Sequence, residues 1–190
     1  TKRIPAKFGY HPVTDIQVLT ATHKGQTGTK NLNALLQAEL NPHGGATITR
    51  GGGTFAVGDK VIQLRNNYEL EVFNGDIGRI STIDEDEDEV KIDYDGRLVA
   101  YDLADLDDVA LAYATTVHKS QGSEYPCVVL VLSSQFYIML QRQLLYTAAT
   151  RAKRLLVVVG DKRALAIAVK NQRSKQRITM LAERLQEGGK

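Results

Sequence analysis

The chain of 190 residues contains one cysteine, Cys127, and no tryptophan. A single cysteine excludes an internal disulfide bond and is typical of proteins that work in a reducing cytoplasm. The four histidines are scattered and have no paired cysteines near them, so the ligand spacing of a protein metal site is missing. We therefore expect a cytoplasmic protein that binds no metal ion through its own side chains.

Long apolar runs are also missing. The longest, residues 127–132, is far shorter than the ~18 residues of a membrane-spanning helix, and its length suits a buried strand. Residues 1–5 lack the apolar core of a secretory signal. With 43% hydrophobic and 24% charged residues, the composition indicates a soluble globular protein of one or two domains without a membrane partner.

The two signs of charge are segregated along the chain. Residues 54–109 carry 16 acidic and 5 basic side chains, a net charge of −11, whereas the remainder carries 6 acidic and 19 basic, a net charge of +13. This segregation predicts two bodies with different partners, of which the basic one could meet a phosphate backbone. The acidic run at residues 84–89 (DEDEDE) is typical of a solvated hairpin tip.

The spacing of apolar residues changes along the first half of the chain. Residues 15–22 predict a strand that leads into a polar, glycine-containing loop, and leucines at helical spacing then predict a helix. Residues 44–53 are rich in glycine and predict a connector. From Phe55 the period becomes two, with Asn-Gly and Asp-Gly turns, which predicts a five-stranded SH3-like barrel over about residues 54–110.

The second half of the chain returns to an α/β pattern. Residues 127–132 and 155–159 are continuous apolar runs, as expected for parallel strands covered on both faces. Helices are predicted over residues 139–152, 163–172 and 178–186. We predict one α/β domain with a parallel sheet, built from residues 1–53 and 111–190, with the small barrel of residues 54–110 inserted into it.

Arg151 is the candidate catalytic residue. It follows the small residues 147–150 (TAAT), which let another surface come close, and a buried strand follows it. An arginine held in this way can reach a bound nucleotide and offset charge on the γ-phosphate, an effect worth roughly 10³–10⁵ in rate. Taken alone, Arg151 could instead be one of several cations that the helix dipole favours at a helix end.

A polar run at residues 116–124 (TVHKSQGSE) separates two apolar segments. Gly122 permits a close approach of the backbone to a ligand, and Glu124 could accept a hydrogen bond from a ribose hydroxyl. Thr116 and His118 are short donors of the kind that bind phosphates. Each of these residues alone is often structural, but a polar run of this length favours a functional interpretation.

The loop at residues 24–30 (KGQTGTK) is not a Walker A loop, because Thr29 follows Gly28 where that motif has a lysine. The loop nevertheless opens a helix, and the amides at a helix N-terminus attract anions. We therefore expect that it could still contact phosphates.

Residues 116–124 and 146–160 (YTAATRAKRLLVVVG) resemble the last motifs of RecD-like superfamily 1 DNA helicases, the family of the exodeoxyribonuclease V alpha subunit. Residues 18–33 are similar, less specifically, to the motif IV region of that family. The resemblance covers essentially the whole chain. It implies the C-terminal motor half of such a helicase: a RecA-like, P-loop-type domain that lacks its own Walker A loop and carries an inserted SH3-like barrel.

The resemblance also implies roles for individual residues. Arg151 is expected to be the arginine finger that senses the γ-phosphate. The nucleotide side comprises Gln121, Gly122, Glu124 and Arg151. The side toward single-stranded DNA comprises Thr20, Lys24, Thr116 and His118.

This chain departs from the family pattern at two points. It has Ala149 where the family usually has leucine, a small change that should leave the arginine undisturbed. The acidity of the barrel is the sharper departure, since a barrel that grips DNA through its own charge would need a basic strip. Such a strip could be presented by Lys60, Arg65 and Arg79.

ATP with Mg²⁺ is the cofactor that the resemblance implies, held mainly by a first motor domain of the same polypeptide. Neither a Walker A loop nor a strand that ends in Asp-Glu is found in these 190 residues. We therefore expect that this chain alone neither hydrolyses ATP nor unwinds DNA. The resemblance further implies 5′→3′ movement, single-stranded DNA as a partner, and other subunits of a nuclease–helicase complex as further partners.

Two other interpretations stay open. The chain could be a non-catalytic module, in which a degenerate motor domain and the acidic barrel bind single-stranded DNA or a protein. The presence of Gln121, Glu124 and Arg151 argues against this, since a binding module does not need them. The acidic face of the barrel could also recruit another protein, which is compatible with a helicase.

Overall fold

The structure, a computed structural model, describes residues 1–42, 44–51 and 53–171. The predicted helix at residues 178–186 lies outside this part of the chain. Among the described residues, no helix is both long and apolar enough to cross a membrane.

The helices and strands of the described residues include those predicted from the apolar pattern, in the predicted order, together with a first helix that was not predicted. They are α1 (Arg3–Phe8), β1 (Ile16–Thr20), α2 (Thr29–Leu40), β2 (Thr47–Arg50), β3 (Gly53–Ala56), β4 (Lys60–Gln63), β5 (Ile77–Asp84), β6 (Glu89–Tyr94), β7 (Arg97–Asp102), β8 (Val109–Leu111), β9 (Ala114–Thr116), β10 (Tyr125–Leu132), α3 (Arg142–Thr150), β11 (Ala152–Gly160) and α4 (Lys162–Lys170). Short 3₁₀ segments lie at Asp105–Asp108 and Ser134–Met139. The predicted helix over residues 139–152 is shorter than expected, because Met139 ends the second of these segments and Ala152 begins β11.

A four-stranded parallel sheet has the order β11-β10-β1-β9. β1 pairs in parallel with β10 on one side and with β9 on the other. Because β1 precedes the barrel in sequence whereas β9 and β10 follow it, both parts of the chain contribute to one sheet. The predicted α/β architecture with an inserted barrel is confirmed.

One face of the parallel sheet packs against α3 and α4. Alanines four residues apart on α4 lie on the same side of the helix, which lets its backbone approach the sheet closely. The main buried side chains of this core are Leu19, Val128, Leu130, Leu132, Leu140, Leu144, Ala148, Ala164 and Ala168.

The expectation that both apolar runs are covered on both faces is wrong for β11. This strand lies at the sheet edge and, within the described ranges, pairs with β10 alone. Val158 and Val159 are 40% and 50% exposed. The apolar run predicted a strand correctly, but the cover on each face depends on neighbouring elements that a run of valines does not encode.

The barrel is a five-stranded antiparallel sheet with the order β7-β6-β5-β4-β8. Asp95 and Gly96, with φ of 52° and 93°, form the turn between β6 and β7, as their sequence predicts. The acidic residues 85–88 form the exposed turn between β5 and β6, so the predicted hairpin tip is confirmed. The hydrophobic core of the barrel contains Phe55, Val61, Val72, Ile80, Val90, Ile92, Val99, Tyr101, Leu106 and Val109.

The glycine-rich residues 44–53 are not a simple connector. β2 and β3 form an antiparallel hairpin in which Thr47 pairs with Ala56 and Arg50 with Gly53. Threonine and isoleucine in this stretch favour extended structure, and Gly51, with φ of 57°, lies at the turn. The glycine content of this stretch predicted a connector, whereas the positions of its glycines are compatible with a hairpin.

Candidate functional site

The two sequence motifs lie side by side in the structure. His118 and Gln121 from the polar run line a cavity of about 330 Å³ together with Leu144 and Thr147 of α3. Just after the carboxyl end of α3, the Arg151 side chain contacts the same polar run at Ser123. The fold therefore brings the two motifs together along much of their length.

Arg151 is held at the junction between α3 and β11. Its Nη1 donates a hydrogen bond to the carbonyl oxygen of Ser123 at 3.1 Å, and its own carbonyl accepts from the Tyr125 N–H at 2.8 Å. A longer contact joins Nη2 to the Thr150 hydroxyl at 3.5 Å. The Nε atom is buried and has no acceptor within the described part of the chain. The guanidinium is half-buried and fixed in place, and its terminal N–H groups are suited to an anionic ligand.

The rest of the predicted nucleotide side is accessible. Gln121, Gly122 and Glu124 are all exposed, and Gly122 has a φ of 92°, a conformation that favours glycine. The Glu124 carboxylate lies 3.7 Å from the Lys153 ammonium. Such an exposed ion pair is weak, so Glu124 is free to accept a hydrogen bond from a ligand instead.

Tyr125 connects this loop to the sheet. Burial raises the pKa of its hydroxyl above the usual value, while the Ser123 hydroxyl and the charge of Arg151 oppose that shift. The ring is almost fully buried beneath the loop. Tyr125 therefore anchors the start of β10, directly after Ser123 and Glu124, in the core of the parallel sheet.

Thr20 and Thr116 are register partners on adjacent strands. Both are buried; the Thr20 hydroxyl donates to the Thr27 carbonyl at 2.6 Å, and the Thr116 hydroxyl accepts from the Lys119 N–H at 3.3 Å. Each threonine therefore holds the loop that follows its own strand.

Lys24 and His118 are exposed on these two loops. The first loop is compact: a Cβ atom on Gly28 would lie 2.5 Å from the Lys24 carbonyl oxygen, and one on Gly25 would lie 2.7 Å from the ring of Phe136. Glycine at both positions therefore lets the loop fold back and present the Lys24 side chain to solvent.

The residues of the two predicted sets that adjoin strands lie at opposite ends of the parallel sheet. Thr20 and Thr116 end β1 and β9, so the DNA set lies at the carboxyl ends. Glu124 and Arg151 immediately precede Tyr125 and Ala152, which pair at the amino ends of β10 and β11. Gln121 and Gly122 lie on the connection between these ends.

The suggested basic strip on the barrel is presented only in part, because Arg65 and Arg79 are exposed whereas Lys60 is buried. Lys60 is only 6% exposed, and its Nζ donates to the Val13 carbonyl at 2.9 Å. Arg79 donates from Nε to the Gly58 carbonyl, and Arg65 pairs with Asp108 at 3.5 Å. Lysine at the start of a strand does not by itself indicate which way its side chain points, so only the fold excludes Lys60 from the surface.

Sequence reasoning missed Ser123 and Asp59. Ser123 contributes its carbonyl oxygen, which no residue type reveals. Asp59 follows a glycine at a turn and has the sequence signature of an ordinary turn residue, yet it is fully buried.

In the described ranges, no group of three His, Cys, Asp or Glu side chains could hold a metal ion.

Two family models match this chain. One is described as the SH3 domain of ATP-dependent RecD-like DNA helicases and matches residues 32–94. The other is described as the C-terminal domain of UvrD-like helicases and matches residues 111–159. The first range contains most of the barrel, and the second contains nearly all of both motifs.

Proteins of the same family align with most of the chain. The ATP-dependent RecD2 DNA helicase of Deinococcus radiodurans is 40% identical over 171 residues, which are 90% of this chain and 23% of that protein. The RecBCD enzyme subunit RecD of Mycolicibacterium smegmatis is 32% identical over 173 residues, which are 91% of this chain and 30% of that protein. The chain thus spans less than a third of the length of these relatives.

Solved structures of Pif1 helicases share the fold. The Bacteroides enzyme in complex with ADP-AlF3 and single-stranded DNA has a TM-score of 0.62 and 16% identity, covering 99% of this chain and 47% of that one. The Candida albicans enzyme has a TM-score of 0.54 and 18% identity, covering 96% and 51%. At this identity the likeness shows the fold alone. The family models and the relatives show that the chain belongs with the RecD-like superfamily 1 DNA helicases and corresponds to a carboxyl-terminal part of them.

Proposed function

We propose that this chain is the carboxyl-terminal motor part of an ATP-dependent DNA helicase and that Arg151 is its arginine finger. The observation that carries this proposal is the half-buried Arg151 guanidinium, which is fixed to the Ser123 carbonyl through Nη1 at 3.1 Å. It lies beside the exposed Gly122 and Glu124, where a nucleotide would be bound. The proposed division is a motor domain of residues 1–53 and 111–190 with a barrel of residues 54–110.

In the proposed mechanism, ATP binds between this domain and a first motor domain of the same polypeptide. Glu124 accepts a hydrogen bond from the ribose, and the open backbone at Gly122 allows close approach of the nucleotide. When the two domains close, Arg151 offsets the negative charge that develops on the γ-phosphate. Mg²⁺, which neutralises phosphate charge when bound, would be held mainly by the first domain, because the described residues offer it no ligand cluster.

Single-stranded DNA is the proposed partner at the opposite end of the sheet. Lys24 and His118, which are exposed, would contact phosphates directly. Thr20 and Thr116 are buried and would act by holding the loops that carry them. Opening and closing of the two motor domains around the nucleotide would then move these loops along DNA. From the family resemblance we propose that this movement runs in the 5′→3′ direction. The same resemblance supports assembly with other subunits.

The test is DNA-stimulated ATP hydrolysis by the full-length parent helicase carrying Arg151→Ala. We expect turnover to fall by roughly two or more orders of magnitude, with nucleotide affinity largely retained, because the finger acts on the transition state. Arg154→Ala is the matched control, since Arg154 is a nearby exposed arginine on β11. It should retain wild-type turnover.

Unchanged turnover in Arg151→Ala, or no turnover in the wild type, would instead support a non-catalytic module that binds single-stranded DNA or a protein. The 190-residue chain provides a second test. It should not hydrolyse ATP by itself, because it lacks the Walker A loop, and its Asp84-Glu85 pair lies at the exposed acidic turn of the barrel. Stoichiometric hydrolysis by this chain, abolished by Arg151→Ala, would contradict that expectation.

A further inference from the structure

The barrel is joined to the motor domain through a buried carboxylate. Asp59, immediately before β4, is fully buried. It accepts hydrogen bonds from the Ala56 N–H at 2.8 Å, the Asn41 amide at 2.7 Å and the Tyr113 hydroxyl at 2.9 Å. The Gln37 amide donates a fourth bond. Asp59 thus ties the barrel to α2 and to the segment that leads into β9.

The next residue makes a second connection to the motor domain. Lys60 extends its side chain away from the barrel, and its Nζ donates to the Val13 carbonyl at 2.9 Å. The same ammonium lies 5.8 Å from the centroid of the Tyr125 ring, within range of a cation–π interaction. Asp59 immediately precedes β4 and Lys60 begins it, and their side chains contact two different parts of the motor domain.

The Lys60 contact leads directly to the proposed nucleotide side. Tyr125 donates its N–H to the carbonyl of Arg151, and Arg151 donates from Nη1 to Ser123. Lys60, Ser123, Glu124 and Tyr125 also line one cavity of about 580 Å³ between the barrel and the motor domain. A continuous set of contacts therefore runs from the barrel to Arg151.

A buried ammonium group at this place costs stability. Burial lowers the pKa of Lys60 to about 8, and the Coulombic attraction of Asp15 only partly opposes this shift. An apolar side chain of similar length would avoid this desolvation cost. Packing alone therefore does not explain a lysine here, whereas a role in holding the Tyr125 ring does.

We propose that Asp59 and Lys60 are positioning residues through which the SH3-like barrel sets the geometry of the nucleotide-side loop and Arg151. This inference rests on the proposed function. It gives the acidic barrel a role that requires no contact with DNA: through Lys60 and Tyr125 the barrel supports the loop of Ser123 and Glu124, and through Asp59 it fixes α2.

The experiment uses the full-length parent helicase with Lys60→Met, which retains an unbranched side chain one atom shorter and removes the ammonium group. We expect kcat/KM for ATP in the presence of DNA to fall about tenfold, with single-stranded DNA affinity unchanged. The melting temperature of the 190-residue chain should stay the same or rise, because a buried charge is removed. Lys91→Met is the control: Lys91 lies on the barrel surface, paired with Glu89, and its variant should match the wild type in every measurement.

A double-mutant cycle separates positioning from a general structural effect. Tyr125→Leu removes the ring on which Lys60 acts, so Lys60→Met should cost little further kcat/KM in that background. Additive losses, or wild-type kcat/KM in Lys60→Met of an active parent, would overturn the inference. A loss of kcat/KM that follows a lowered melting temperature would do the same. An inactive wild-type parent would instead show that the proposed function itself fails.

Discussion

Arg151 and Ser123 are joined across the amino ends of two parallel strands by a hydrogen bond of 3.1 Å from Nη1 to the carbonyl oxygen. Arg151 immediately follows α3, whereas Ser123 lies in the loop before β10, so this contact links the two motifs in space. The bond uses one end of the guanidinium and leaves Nε without an acceptor in residues 1–42, 44–51 and 53–171. The side chain is thus oriented before any ligand binds.

This orientation predicts that charge alone cannot replace Arg151. In the full-length parent, Arg151→Lys should recover less than about a tenth of wild-type ATP turnover, because an ammonium is a point charge and cannot bond Ser123 and a phosphate with a rigid fork. Steady-state kcat with saturating DNA is the measurement. Arg154→Lys serves as the control, and near-wild-type kcat in Arg151→Lys would show that only the charge matters.

The buried Lys60 predicts a specific dependence of stability on pH. Its pKa is about 8 in the folded chain against 10.5 for a free lysine, so between these values the unfolded chain binds more protons than the folded one. The free energy of unfolding contributed by Lys60 therefore rises with pH, by about 1.5 kcal/mol between pH 8 and 9.5. Chemical denaturation of the wild type and Lys60→Met at both pH values measures this difference.

Comparison of two chains is needed because burial also raises the pKa of the Cys127 thiol, which acts in the opposite direction over this range. That contribution is common to both chains and cancels. The charged groups that face Lys60 or share its cavity are Asp15, Asp76, Arg79, Asp93, Asp95 and Glu124. An unchanged difference between the wild type and Lys60→Met at the two pH values would show that Lys60 is not desolvated.

Asp59 should be among the residues whose loss destabilises the chain most. Asp59→Ala leaves several buried donors, including the Tyr113 hydroxyl, without their acceptor, and each hydrogen bond to a charged group contributes roughly 1.5–3 kcal/mol. We expect a loss of about 3 kcal/mol or more in urea denaturation. Asp86→Ala, in the exposed acidic turn, should change stability by less than about 0.5 kcal/mol. Equal effects of the two substitutions would rule out the proposed connection at Asp59.

Binding of single-stranded DNA by this chain should depend on Lys24. Removing one phosphate contact lowers the slope of log affinity against log salt concentration by about 0.7. Lys24→Ala should show that change in fluorescence anisotropy titrations at several salt concentrations. Lys91→Ala, on the acidic barrel, should leave the slope as it is in the wild type. A slope altered by Lys91→Ala and not by Lys24→Ala would place DNA on the barrel.

The elements and the motifs were accessible from the sequence because local chemistry encodes them. Apolar runs predicted β10 and β11, leucines at helical spacing predicted α2, and Asp95-Gly96 predicted a hairpin turn. The polar run at residues 116–124 indicated a family because its residue types and spacing are specific. The hairpin of β2 and β3 was missed, since glycine weakens the local signal for a strand whose pairing is decided by its partner.

What only the tertiary structure decided is how these parts meet. The sequence by itself determined an α/β domain with an inserted barrel and named Arg151 as a candidate. It did not reveal that the Arg151 guanidinium bonds the Ser123 carbonyl, that Lys60 points into the motor domain, or that Asp59 is buried. Backbone acceptors carry no side-chain signature, and the burial of a charge depends on residues distant in sequence, so these relationships exist only after the chain has folded.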